Sequence, residues 1–332
     1  MAELDTKDRK ILYELDRDCR QSESGIARRV GLSRESVRYR ISKMLEKGII
    51  KGFVTYINSV RLDQRWFRIF LKFRNHTPEK EKEMIGWLKE KCCWLFDVEG
   101  EWDLAVGILV ETTYDYRNIM EEFLERYNRY VEEHDFAILI NDWVCSKDIL
   151  LGSKKRTTPP LLIGYRRYQE QKIERLDETD LKVLLAVLND ARKKTIDIAR
   201  ETGLTEMIVR HRLKKMQERD IIIGYKAVIS MNKLGYNLFN ISLELVDYTA
   251  EQKRELITYL RQHPAVERIS EYVPSFGLEA TIRVKSLAEL YEEIGKIRRR
   301  FSGIIREYGF LHYVEELRHV QLPLKYIEEG KI

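Results

Sequence analysis

Residues 4–73 recur as residues 176–245. Sliding the chain along itself by 172 positions lays Leu4-Asp5 over Leu176-Asp177 and then runs without a gap to Phe73 and Leu245. Leu12/Leu184, Ala27/Ala199, Gly31/Gly203, Val37/Val209, Arg38/Arg210, Arg40/Arg212, Met44/Met216, Ile49/Ile221 and Gly52/Gly224 are held in common. A two-residue insertion near Tyr272–Pro274 shifts the register, after which Phe136 lies over Phe310. No other feature limits the fold so strongly. Whatever the first half forms the second forms again, with the same apolar positions to bury.

The opening third of each copy has helical period. Asp5 is placed to cap a helix with the apolar face Ile11, Leu12, Leu15. A second helix is predicted over Glu23–Val30, closed by Gly31, whose lack of Cβ permits the positive φ of a tight turn. Ser33 then caps a third helix with the stripe Val37, Ile41, Leu45, and Thr205 caps its counterpart with Val209, Leu213, Met216. Two helices joined by a Gly-Leu-Ser or Gly-Leu-Thr turn, the second of them basic on its open side, make a helix-turn-helix. Residues 33–51 carry six basic and two acidic side chains, and residues 205–223 five and three. The β segments Ile49–Ile57 and Ile221–Ile229 are expected to serve as wings.

After these segments the period changes to two, as in "RIFLKF" and "ISLEL", the mark of strands covered on one face. Helices are expected at 79–91 and 114–130, and strands at 94–98, 104–110 and 136–144. The second copy repeats them at 251–262, 287–301, 266–272, 278–284 and 310–317. The resulting order β-α-β-β-α-β is the split ferredoxin-like unit. The fold class is therefore α+β: two copies of a winged helix-turn-helix followed by a βαββαβ sandwich. The expected division is 1–60, 64–148, a basic Pro-containing linker at 149–173, then 174–232 and 236–332.

This arrangement resembles the Lrp/AsnC (feast/famine) family of prokaryotic transcription regulators. The residues that carry the likeness are "LDTKDRKIL" with "LDETDLKVL", "GLSRESVRYRISKM" with "GLTEMIVRHRLKKM", and "NKLGY" at Asn232–Tyr236. "EGEWDLAVGI" is similar to the family's turn before the third strand. The resemblance implies a cytoplasmic DNA-binding regulator, prokaryotic or archaeal, whose sheet domains pair and whose small-molecule effector, often an amino acid, binds between subunits. Members of the family are commonly single-copy, so a tandem chain implies an intramolecular pseudo-dimer, with homo-oligomerisation through the sheet domains as the other arrangement.

The DNA-reading positions are then Ser33, Arg34, Glu35, Arg38, Tyr39 and Lys43 in the first copy. Thr205, Glu206, Arg210, His211 and Lys214 are those of the second. Because the letters differ, two unlike half-sites are implied. The resemblance places the effector turn at Gly100, Glu101, Trp102 and Asp103, whereas the second turn, "VPSFGLE", lacks the matching glycine and aspartate. Arg40 and Arg212 lie beside the buried stripe and suit packing as well as contact.

The chain's net charge of +5 equals that of residues 146–175 alone, eight basic against three acidic. Lys154, Lys155, Arg156, Arg166 and Arg167 are candidates to lie along phosphates. The four cysteines and six histidines show no metal-ligand spacing, so neither a metal nor a cofactor is expected. The charged start and the lack of a long apolar run predict no signal peptide and no membrane span. Two alternatives stay open. Siroheme decarboxylases resemble the same two-domain architecture, and the helix-turn-helix units could instead serve an architectural, protein-binding role.

Overall fold

The computed structural model describes residues 4–156, 158–165, 172–273, 277–322 and 326. The chain opens with α1 (Thr6–Arg17), α2 (Glu23–Val30), α3 (Arg34–Glu46) and β1 (Ile50–Ile57). The second copy gives α6 (Glu178–Leu188), α7 (Thr195–Thr202), α8 (Glu206–Glu218) and β7 (Ile222–Ile229). Each start is fixed by a local device. Asp5 accepts from the backbone of Asp8 in a capping box, and Ser33 accepts from Ser36 N at 3.1 Å. Gly31 and Gly203 end the second helices at φ 67° and 69°.

One detail of the stripe differs from expectation. Met44 is buried and Leu45 is 40% exposed. At 3.6 residues per turn, the seventh residue after Val37 returns to the same face while the eighth overshoots it by most of a quarter turn.

The two helix-turn-helix units are one packing unit. β1 and β7 pair antiparallel, with Val54 opposite Lys226, flanked by Thr55 opposite Tyr225 and Phe53 opposite Ala227. Val54 and Lys226 are 172 residues apart, so an approximate twofold axis passes through this pair and exchanges the two copies. A single apolar core runs across it, from Ile11, Leu15 and Val37 to Val183, Leu184 and Val209. The segments read as wings are therefore not hairpins for DNA but the seam between the copies. One strand from each copy suffices, because each supplies the pairing edge that the other lacks.

The remainder of the first copy is β2 (Arg65–Phe73), α4 (Pro78–Lys91), β3 (Trp94–Glu99), β4 (Leu104–Val110), α5 (Thr113–Tyr127) and β5 (Val131–Val144). After β6 (Leu161–Ile163) in the connector, the second copy continues with β8 (Asn237–Leu245), α9 (Ala250–Gln262), β9 (Val266–Val273), β10 (Leu278–Val284), α10 (Leu287–Arg300) and β11 (Ile305–His319). Neighbours run β2-β4-β3-β11-β8-β10-β9-β5, and β5 pairs back onto β2, so eight strands form a closed ring of pairings. The last strands, β5 and β11, are longer at their starts than their patterns predict. β5 spends its first half on its own β2 and its second half on β9 of the other copy, and β11 does the same with β8 and β3. Helices α4 and α5 cover one outer face and α9 and α10 the other, while Phe70, Phe96, Trp102, Leu238, Leu311 and Tyr313 meet inside.

The connector is built into this frame. β6 pairs with the end of β5. Arg156, 4% exposed, donates to Asp148 Oδ2 at 2.9 Å and to the carbonyls of Ser146, Arg261, Pro264 and Val266. It does not lie along phosphates, since five acceptors inside the fold hold it. Lys154 and Lys155 are exposed, while Arg166 and Arg167 lie outside the described residues. The DNA-side unit is fastened to the barrel by buried ions. Asp16 of α1 accepts from Lys226 Nζ at 3.0 Å and from Lys147 N and Nζ at 2.9 and 3.2 Å.

Candidate nucleic-acid interface

In each copy the third helix, α3 or α8, rests its apolar stripe on the core and turns its other face to solvent. Ser33 and Thr205 use their hydroxyls as helix caps, Thr205 accepting from Ile208 N at 3.3 Å, so both fix the start of the third helix. Arg34, Glu35, Arg38, Tyr39 and Lys43 are exposed along α3. Arg34 and Arg38 share the single carboxylate of Glu23 at 3.5 and 3.1 Å, with the exposed Glu35 between them in sequence. Lys43 lies over the Tyr39 ring at 5.8 Å and pairs with Glu46 at 2.8 Å.

The second copy keeps the link between its two helices but rewrites the chemistry. Thr195 stands where Glu23 did, and Glu206 where Arg34 did. Thr195 donates to Glu206 at 2.6 Å, and Arg210 folds back onto the same carboxylate. Both contacts hold the Glu206 carboxyl below its usual range. His211 and Lys214 are exposed, as is Met207, which stands where the first copy has Glu35. Arg40 and Arg212 are structural. Arg40 reaches Asp5 and Asp8, both at 2.7 Å, and Arg212 reaches Asp177 and Asp180, tying the recognition helix to the cap of the first helix in both copies.

The turn expected to hold an effector divides in two. Glu101 and Trp102 line a cavity of about 400 Å³ between the copies, together with Arg68, Asn240, Glu244 and Glu279. Gly100 and Asp103 shape the turn instead. Gly100 has φ 136°, and Asp103 accepts from Phe73 N at 2.6 Å. Positions 274–276 of the second turn lie outside the described residues.

Sequence reading missed Arg68, because an arginine in an alternating strand looks like one on the wet face. It is 2% exposed, with Glu279 at 3.2 Å, Asp135 at 3.3 Å and the Phe70 ring at 4.0 Å. Burial disfavours its charge, but Glu279, Tyr272 and Asp135 outweigh that and raise its pKa. Glu279 also accepts from Asn240, the residue equivalent to Arg68, at 3.0 Å, so one carboxylate serves both members of a symmetry-related pair. Among the described residues no cluster could hold a metal and no helix is long and apolar enough to cross a membrane.

Two recognition helices related by an approximate twofold, each on a trihelical unit, define a tandem helix-turn-helix DNA-binding protein. The winged helix-turn-helix DNA-binding family matches residues 4–51 and again 176–223. The transcriptional regulator LrpA of Pyrococcus horikoshii is 36% identical over 132 residues, 92% of its own length and 40% of this chain. The regulator FL11 of the same organism is 29% identical over 115 residues, 75% of its length and 35% of this chain. This chain belongs to the Lrp/AsnC family of transcription regulators, carrying its plan twice. Among solved structures, that of the siroheme decarboxylase NirDL shares the whole-chain fold: TM-score 0.62, covering 98% of this chain and 100% of that one, at 15% identity.

Proposed function

We propose that one chain acts as a covalently closed dimer that reads two unlike half-sites and is tuned by a small ammonium-bearing effector. The observation that carries this reading is the register of β1 and β7. It makes α3 and α8 symmetry mates, as the recognition helices of a dimer are, while their exposed letters differ. Lysines and arginines supply affinity through phosphates, and the helix starts supply sequence preference through base edges. The effector belongs in the cavity above Arg68. Its rim of Glu101, Glu133, Asp135, Glu244 and Glu307 suits an ammonium group, as in an amino acid.

The test is selection of bound duplexes from a random pool, followed by sequencing. A non-palindromic pair of half-sites is the expected result. A palindrome would remove the claim of unlike readers, and uniform salt-dependent binding without a consensus would favour the architectural role.

Because NirDL shares the fold, tetrapyrrole chemistry is the second reading. The rim above Arg68 repels carboxylates and so disfavours a tetrapyrrole there, whereas a second cavity, lined by Lys147, Arg268, Arg283 and His319, offers cations to such a substrate. An absorbance change on titrating an iron porphyrin carboxylate would revive it.

A further inference from the structure

The first turns of the two recognition units differ at three equivalent places. Ser24, Glu35 and Ser36 of the first copy are replaced by Ile196, Met207 and Ile208 in the second. Among the described residues nothing buries the replacements. Met207 is 78% exposed and Ile196 52%, with Ile208 also at the surface. The Thr195–Glu206 hydrogen bond joins the two helix starts that carry them. The surroundings are charged. Arg200 stands one turn after Ile196, and Arg210, His211 and Lys214 follow Met207 at three, four and seven residues, on the same helix face. Arg200, Arg210 and Lys214 pair with Asp197, Glu206 and Glu218, exposed pairs that phosphates can compete for. An apolar tip ringed by such side chains matches a partner that presents apolar groups between phosphates.

We infer that the second recognition unit reads thymine by its methyl group, with Met207 and Ile208 seated against the 5-methyl carbons in the major groove. Thymine is the only base that offers a methyl there. The neighbouring arginine supports this division of labour. Arg210 is drawn onto Glu206, whereas in the first copy Arg34 and Arg38 share one carboxylate between them. The inference rests on the two-reader function proposed above, and it specifies what the weaker, less basic reader recognises.

The test uses the full-length chain and the duplex selected from a random pool. Replacing thymine by deoxyuridine in the second half-site removes the methyl and leaves base pairing intact. Each contacted methyl lost should weaken binding about fourfold. The same replacement in the first half-site should leave affinity unchanged. In Met207→Ala combined with Ile208→Ala the penalty should vanish, while thermal unfolding stays that of wild type because both side chains are at the surface.

A second half-site without thymine, or one that binds equally with deoxyuridine, overturns the inference, as does a double variant with wild-type affinity and an intact penalty. If scrambling the second half-site lowers affinity while deoxyuridine does not, only the methyl reading falls. If scrambling that half-site does nothing, the two-reader function falls with it.

Discussion

Replacing Asp16 by Leu should destabilise the protein far more than an ordinary surface change, and a second substitution should undo part of the damage. Asp16 is fully buried and accepts from Lys226 Nζ, Lys147 Nζ and Lys147 N, all within 3.2 Å. Without it, Lys226 keeps only the Cys145 carbonyl at 3.4 Å among the described residues, and Lys147 keeps Glu267 at 3.9 Å. A buried charge stranded in this way costs about 3–5 kcal/mol. The other copy supplies the remedy. The residues equivalent to Asp16 and Lys226 are Leu188 and Val54, so the fold already accommodates apolar side chains at both places. Asp16→Leu with Lys226→Val should therefore recover at least about 1 kcal/mol of the loss by removing one of the two stranded cations, with Lys147 left on Glu267.

Acid adds a second readout. Burial alone would raise the Asp16 pKa, but Lys147 and Lys226 overcome it and hold the carboxyl below its ordinary 3.8. Its contribution is present above that value and is lost as pH falls through the lower folded-state pKa, so both variants should lack this part of the acid transition. Urea unfolding followed by tryptophan fluorescence, run as a double-mutant cycle, measures all of this. A single substitution costing under about 1 kcal/mol, or a double variant no more stable than the single, would refute the reasoning.

Arg38→Ala and Arg210→Ala should each cost about 1–3 kcal/mol of binding and relax preference in one half-site only. Arg38→Ala should cost more, because Arg210 is already held by Glu206; binding to half-site-scrambled duplexes checks both. Arg156→Ala should destabilise by about 3 kcal/mol, since it leaves the Asp148 carboxylate with only the Ser146 and Tyr13 hydroxyls among the described residues, and should open the connector to protease near Pro159. The salt dependence of its DNA binding should stay unchanged. Glu293, bonded to His263 and Lys296, has its pKa lowered to about 2 from 4.5. The stability this confers is present above pH 4.5 and disappears toward pH 2, so Glu293→Gln should flatten the acid unfolding curve in that window.

Much of the plan was legible in the residues alone. Helix starts at Asp5, Ser33 and Thr205, and helix ends at Gly31 and Gly203, depend on contacts within four residues, so a local pattern suffices to place them. The exposed face of α3 was legible for the same reason, since the stripe that must be buried defines the side that cannot be. The duplication then doubled every such inference. Strand pairing across the copies carries no comparable mark. β1 looks like a wing until β7, some 170 residues away, takes its edge, and that partner gives the two helix-turn-helix units their symmetry.

The same distance in sequence hid the buried ions. Arg68, Arg156, Lys226 and Asp16 have the composition of a wet surface, and each goes inside because an opposite charge or a set of carbonyls from a remote strand meets it there. Burying a charge costs several kcal/mol unless a partner is in place. Where such a residue ends up is therefore a property of the assembled pair, decided only when the two copies close on one another.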